Sequence, residues 1–240
     1  MAFRDILATV LLSLGGLLLG ASCRQRPPDL QVYDTPDWEG ASRLLLRSSA
    51  PDSTDLLLRT LTEAERRSPD AAGSAPTDRV IYRYEPGADR LEPVGAAAWT
   101  AATGAICDSA TQGAIDPLVF DYRTHTLTFQ GRALTTGGAK VLTARTSPSG
   151  RYVAVLSAKR LRRNGLAPVS FSGVGDTVGW QYYHELFRRS DGTRVGRVVT
   201  LPKAMYMGGA IACWSCDERH VVYASDGKLC IVPANVKKGE

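Results

Sequence analysis

From Arg79 onwards the apolar residues fall mainly at period two, interrupted by turns. In "RVIYRYEPGADRLEPV" Val80, Tyr82 and Tyr84 alternate with polar residues, Pro86-Gly87 breaks the run, and it resumes at Leu91. "PLVFDYRTHTLTFQG" repeats the form, with Val119 and Phe120, a turn near Arg123 to His125, then Leu127 and Phe129. "SPSGRYVAVLSA" turns at Pro148 to Gly150 and runs as a strand through Leu156. "YYHELFRRSDGTRVGRVVTLP" turns at Asp191-Gly192, and "RHVVYASDGKLCIVPA" turns at Asp226-Gly227. Asp-Gly between alternating runs marks a hairpin, because glycine accepts the positive φ that tight turns require. Residues 79–240 are therefore expected to form an antiparallel all-β domain.

The pattern before this region differs. Residues 24–54 are rich in Pro, Ser, Asp and Arg, with one apolar patch at Leu44-Leu45-Leu46. "STDLLLRTLTEAERRSPD" predicts a short helix near 55–67. Thr54 or Asp55 caps it, Leu57, Leu58 and Leu61 share a face, and Pro69 ends it. "AAGSAPTD", residues 71–78, has the composition of a linker. Residues 23–78 thus read as a tether or stalk with one helix.

The N-terminus reads "MAFRDILATVLLSLGGLLLGASC". Arg4 supplies a positive end, Ile6 to Leu19 an apolar stretch, and Gly20-Ala21-Ser22 small residues before Cys23. A run this short, ending in small residues, suits a signal peptide better than a membrane span. The cysteine placed directly after it resembles the lipobox of bacterial lipoproteins. That resemblance implies removal of residues 1–22 and acylation of Cys23, with palmitate-type chains, as the first mature residue. The body would then be membrane-anchored and extracytoplasmic, in the periplasm or at the cell surface. Arg24, where a retention signal would have Asp, is compatible with sorting to an outer membrane. Two departures stand against the family pattern: Gly20 replaces the favoured Leu, and Asp5 weakens the positive end.

"CWSCDERHVVYAS", residues 213–225, carries the most specific motif of the β region. Ser147 to Val155 align with Ser215 to Tyr223, each a polar turn followed by a buried strand. The form resembles the repeat of WD40-like and Tol-associated periplasmic β-propellers, whose blades carry a Trp-Ser-Pro-Asp-Gly turn. Trp214, Ser215 and Asp217 match it, whereas Cys216 replaces the Pro and Glu218 the Gly. The resemblance implies that Trp214 packs between blades and that Asp217 braces its turn. It also implies a partial or small propeller, because residues 79–235 hold fewer blades than a ring usually needs.

Cys213 and Cys216 also have the spacing of a thiol redox centre. Such a centre places its first cysteine at a helix N-terminus, and here the following residues are strand-like. With Cys23 acylated, Cys107, Cys213, Cys216 and Cys230 remain, and an oxidising compartment favours disulfides. Three pairings are open. Cys213 or Cys216 with Cys230, across adjacent strands, is easier to build than the tight Cys213–Cys216 loop, and free buried thiols are the alternative. No second cysteine pair supports zinc. His125 and His184 read as sheet-surface residues, and "HEL" at 184–186 lacks the second histidine of a zinc-protease motif.

No cofactor, metal or catalytic residue is expected from these patterns. "FSGVGDTVG", residues 171–179, is glycine-rich but is neither a nucleophile elbow nor a phosphate loop. Trp180, Tyr182, Tyr183 and Tyr206 cluster near that loop and are the ligand-binding candidates. The net charge is +5, and the densest basic cluster, Lys159-Arg160-Leu161-Arg162-Arg163, lacks interleaved aromatics. Nucleic-acid binding is not expected on that footing. Two function classes follow. One is a membrane-anchored binding or scaffold protein with a protein partner. The alternative is an extracytoplasmic hydrolase or lyase with its site on the blade loops.

Overall fold

Short apolar runs bounded by polar turns bury most surface when strands stack as sheets with both faces covered. The computed structural model has that form. It describes residues 32–61, 80–112, 119–121, 126–134, 139–162, 177–200, 210–225 and 227–234. The order is β1 Val32–Asp34, a 3-10 turn Pro36–Trp38, β2 Arg43–Ser48, β3 Leu56–Leu61, β4 Ile81–Glu85, β5 Arg90–Val94, and α1 Ala96–Ala101. There follow β6 Ile106–Asp108, β7 Val119–Asp121, β8 Thr126–Phe129, β9 Arg132–Ala133, β10 Lys140–Thr146 and β11 Tyr152–Arg162. The last are β12 Thr177–Arg188, β13 Arg194–Thr200, β14 Ile211–Trp214, β15 His220–Ser225 and β16 Lys228–Pro233.

These strands make four antiparallel sheets. The first has the order β5-β4-β3-β2-β6, the second β7-β8-β9, the third β10-β11-β12-β13, and the fourth β1-β16-β15-β14. In the fourth, the first strand of the described chain pairs with the last, Val32 opposite Cys230.

Alternate residues of each strand serve different cores. On β11, Ala154, Leu156 and Ala158 face the fourth sheet with Trp214, Tyr223 and Val232, while Val153 and Val155 meet Leu127 and Phe129 of the second. The other face of the fourth sheet, with Cys213, Val222 and Ile231, packs on Leu44, Leu46, Leu56 and Leu58 of the first. The first sheet turns Leu45, Leu57, Leu61 and Ile81 to Trp99 of α1. The packing sequence is thus second, third, fourth, first, then α1.

The helix expected near 55–67 is not formed over the part described: Leu56–Leu61 is β3, and all six of its residues are buried. Its leucines divide by parity, Leu56 and Leu58 to one core and Leu57 and Leu61 to another. A strand covered on both faces shows no polar alternation, so three consecutive leucines mimic a helix face. Residues 62–78, including the expected linker, lie outside the described residues. The boundary expected at 79 does not separate a stalk from the β region, because β3 pairs with β4 and β1 with β16. Residues 32–61 therefore belong to the stacked sheets.

The expected turns at 86–87, 149–150 and 191–192 connect their strands, and Gly227 closes the β15–β16 hairpin. Asp226 and the turn near Arg123 to His125 lie outside the described residues. Gly192 is required twice. Its φ is +69°, and an added Cβ would stand 2.7 Å from the Phe129 ring of the second sheet.

Candidate functional site

The two aligned turns are built alike. The Ser215 amide donates to His220 O (2.9 Å), and the His220 amide donates to Ser215 Oγ (3.0 Å). The Ser147 amide donates to Tyr152 O (2.8 Å), and the Tyr152 amide donates to Ser147 Oγ (3.2 Å). Asp217 Oδ1 accepts from Ser215 Oγ (2.5 Å) and from the Arg219 amide (3.0 Å), which braces the turn as expected. Gly150 and Glu218 hold the equivalent left-handed position, at φ 74° and 58°. A glutamate there costs backbone energy that glycine does not. Its carboxylate has a task that glycine cannot perform, since Oε1 accepts from the Ser149 amide at 2.6 Å. The two turns thereby lock to each other at one end of the third and fourth sheets. Trp214 is fully buried between those sheets, and its Nε1 donates to Arg145 O at 3.0 Å.

The hairpin between β2 and β3 closes differently: the Ser49 amide donates to Asp55 O (3.1 Å), but the Asp55 amide donates to the Oγ of Ser53, two residues before it (3.0 Å), and not to the opening serine.

The cysteines depart from expectation. Cys107 on β6 is bonded to Cys216 in the β14–β15 turn, with Cα atoms 5.5 Å apart. Cys213 and Cys230 are free and buried. The pairing favoured from sequence fails because Cys230 faces the third sheet and Cys213 faces the first, on opposite sides of one sheet. Cys216 is instead met by β6, which adds to the edge of β2 beside β14. Burial pushes the Cys213 thiol well up, with Asp108 adding to the effect, and pushes Cys230 up to about 12. These two thiols lack the depressed pKa of a reactive cysteine.

Of the aromatic candidates, Tyr182 is part of the core between the third and fourth sheets. Tyr183 is buried too: its hydroxyl is 2.6 Å from Gln181 Oε1, to which it donates, and Arg197 lies 4.9 Å over its ring. Both rings are buried, so neither presents an exposed aromatic surface. Trp180 stands opposite Arg160 in the β11–β12 register. Tyr206, His125 and Cys23 lie outside the described residues. Among the described residues no group of three His, Cys, Asp or Glu side chains is placed to hold a metal.

His184 is a core residue, 4% exposed, and not the sheet-surface residue expected. Its ring lies 5.1 Å from that of Tyr223. Both line a cavity of about 50 Å³, with Leu186, Val198, Val221 and Val232. A small-molecule ligand needs roughly 300 Å³ or more, and one water takes about 30 Å³. This cavity does not accommodate an organic substrate. On the strand position beside His184, Glu185 is fully buried and ion-paired with Arg194 (3.0 Å) and Arg197 (3.7 Å).

Burial lowers the His184 pKa to about 3, and His220 is lowered by the same cause. In the unfolded chain a histidine titrates near 6.5. Between these values the unfolded state binds a proton that the folded state refuses, so stability is full above pH 6.5 and falls as pH drops toward 3. The loss from His184 should reach about 2 kcal/mol at pH 5. Urea denaturation at pH 7.5 and pH 5 should show it, and His184→Leu should flatten the difference. An equal pH dependence in that variant would assign the effect elsewhere.

The third sheet carries an outlying element. Lys140 pairs with Ala158 at one end of β10, and Thr200 pairs with Tyr182 at one end of β13. β11 and β12 continue past both, as far as Arg162 and Thr177, with a register shift between Leu161 and Arg162. Along this extension Lys159 stands opposite Gln181, Arg160 opposite Trp180 and Arg162 opposite Thr177. It is a two-stranded ribbon about 13 Å long.

No protein-family model matches this chain, and no curated protein is similar to it.

Proposed function

We propose that this protein is a lipid-anchored, extracytoplasmic binding protein, with its stacked sheets acting as propeller-type blades in an open arc. The observation that carries the reading is the apolar run ending in Gly20-Ala21-Ser22-Cys23. The Cys107–Cys216 bond supports it, since disulfides persist in oxidising compartments. The repeated serine turns and the interlayer Trp214 support the blade reading. Two or three acyl chains, at roughly 0.8 kcal/mol per buried methylene, hold a protein at a membrane where one chain does not.

Mass spectrometry of the mature protein from its own host tests the anchor. The expected N-terminus is an acylated Cys23, and Cys23→Ser should move the protein out of the membrane fraction. A chain beginning at Met1, or a free thiol at position 23, would overturn the proposal.

A further inference from the structure

The His184 cavity has two kinds of lining. Leu186, Val198, Val221 and Val232 present aliphatic groups, and His184 and Tyr223, 4% and 1% exposed, bring polar ones. His184 Nδ1 is buried without a hydrogen-bond partner. Among the described residues the Tyr223 hydroxyl has no hydrogen-bond partner either, and its ring lies against that of His184. Buried polar groups in folded proteins nearly always have a partner. Two without one, on the same small cavity, mark a place where an occupant supplies both bonds. Arg197 and Pro233 are exposed, and Gly196 and Val198 are half-exposed. The mouth therefore opens between β13 and the end of β16.

The chemistry of the lining selects the occupant. Burial keeps the His184 imidazole neutral, and it raises the Tyr223 hydroxyl, so neither carries charge at neutral pH. An ion brought among four aliphatic side chains and two neutral ones would lose its hydration without a counter-charge. The occupant is therefore uncharged. A hydroxyl meets both polar groups, since it accepts from Tyr223 O–H and donates to a ring nitrogen of His184. A methyl beside that hydroxyl covers the aliphatic lining, which a water leaves unfilled. A cavity of about 50 Å³ admits a group of roughly two or three heavy atoms, set against the 30 Å³ share of one water. The hydroxyl and methyl of a threonine tip have that size and that polarity. The strand at the mouth adds a charge. Arg194 and Arg197 of β13 are half-exposed and share one carboxylate, the fully buried Glu185. These three groups sum to one positive charge beside the opening, which an acidic neighbour of the threonine complements.

We infer that the cavity lined by His184 and Tyr223 is a socket for a threonine side chain of a protein partner, with an acidic residue of the same segment lying against Arg194 and Arg197. This rests on the binding-protein reading above and takes nothing from the lipid anchor. Such a socket gives specificity more than area. A partner residue that fills the space without a hydroxyl leaves both buried polar groups unpaired, and sites built to bond a hydroxyl reject its isostere strongly for that reason.

The test uses the full chain with Cys23→Ser, so that binding is read apart from acylation, which the mature mass of the parent chain reports separately. The probe is a phage-displayed library of random seven-residue peptides. Selection should enrich threonine, with Asp or Glu within two residues of it, at least about tenfold over the starting library. The strongest peptide is then synthesised with a fluorophore and measured by anisotropy. Its affinity should fall at least about tenfold when its threonine is replaced by valine, which keeps the shape and removes the hydroxyl. It should fall by a similar factor with Tyr223→Phe, which removes one hydroxyl from the cavity and leaves the ring. The valine peptide changes nothing in the protein, so it reads the socket even if Tyr223→Phe lowers the urea midpoint. Absence of threonine enrichment, or equal binding of the threonine and valine peptides, would overturn the inference. So would self-association of the chain that Tyr223→Phe abolishes, because it would assign the cavity to a second copy. None of these outcomes bears on an acylated Cys23.

Discussion

Trp214→Ala should cost about 3–5 kcal/mol of folding stability. The ring is fully buried among Tyr152, Leu156, Val221 and Tyr223, where the third and fourth sheets meet. Truncation empties a space that two stiff, hydrogen-bonded sheets cannot collapse to fill, so the cavity adds to the lost transfer energy. It also removes the donor to Arg145 O, the one side-chain hydrogen bond described from the Trp214 ring, a further loss of about 1 kcal/mol. Small domains hold only about 5–15 kcal/mol in total. Urea unfolding of the two chains should therefore show a large fall in midpoint with little change in slope. Trp214→Phe, which keeps most of the ring and loses the donor, should fall between them. A loss below about 1 kcal/mol for the alanine variant would mean that the two sheets are not held together through this ring.

Hairpins and turns were legible in the sequence because their chemistry is local. Gly192 and Gly227 sit at positive φ between alternating runs, and only the residue itself and its neighbours are needed to see it. Ser147 and Ser215 were legible as a pair for the same reason, since each closes its own turn. Glu218 was visible only as a departure from glycine. Its reason, the Ser149 amide, belongs to another hairpin 69 residues away. Strand β3 was misread because burial of both faces erases the period, and the second face is supplied by Trp99 on α1. The disulfide depended on which face each cysteine takes and on β6 joining the edge of β2, neither of which spacing encodes.

The double change Cys107→Ser/Cys216→Ser should cost about 4–5 kcal/mol, mainly through the unfolded chain. The bond spans 109 residues, and a loop of that order removes about 4.7 kcal/mol of chain entropy from the unfolded state. The folded state has other links at the same place. Arg43 pairs with the Asp108 carboxylate beside Cys107. Gln112 holds strand β14 through both amide atoms: its Nε2 donates to Trp214 O (2.8 Å), and its Oε1 accepts from the Trp214 amide (2.7 Å). The segment after β6 should therefore stay docked without the disulfide, and the native circular dichroism should survive at low denaturant. Cys213→Ser is the contrast. That thiol is free, buried and only 3.7 Å from Cys107 O, so its loss should disturb local packing without touching the loop. Alkylation and intact mass should find Cys213 and Cys230 blocked only after unfolding. A double variant as stable as the parent chain would show that the bond is no clamp, and a disulfide-reductase turnover abolished by Cys213→Ser would show that Cys-Trp-Ser-Cys is a redox centre.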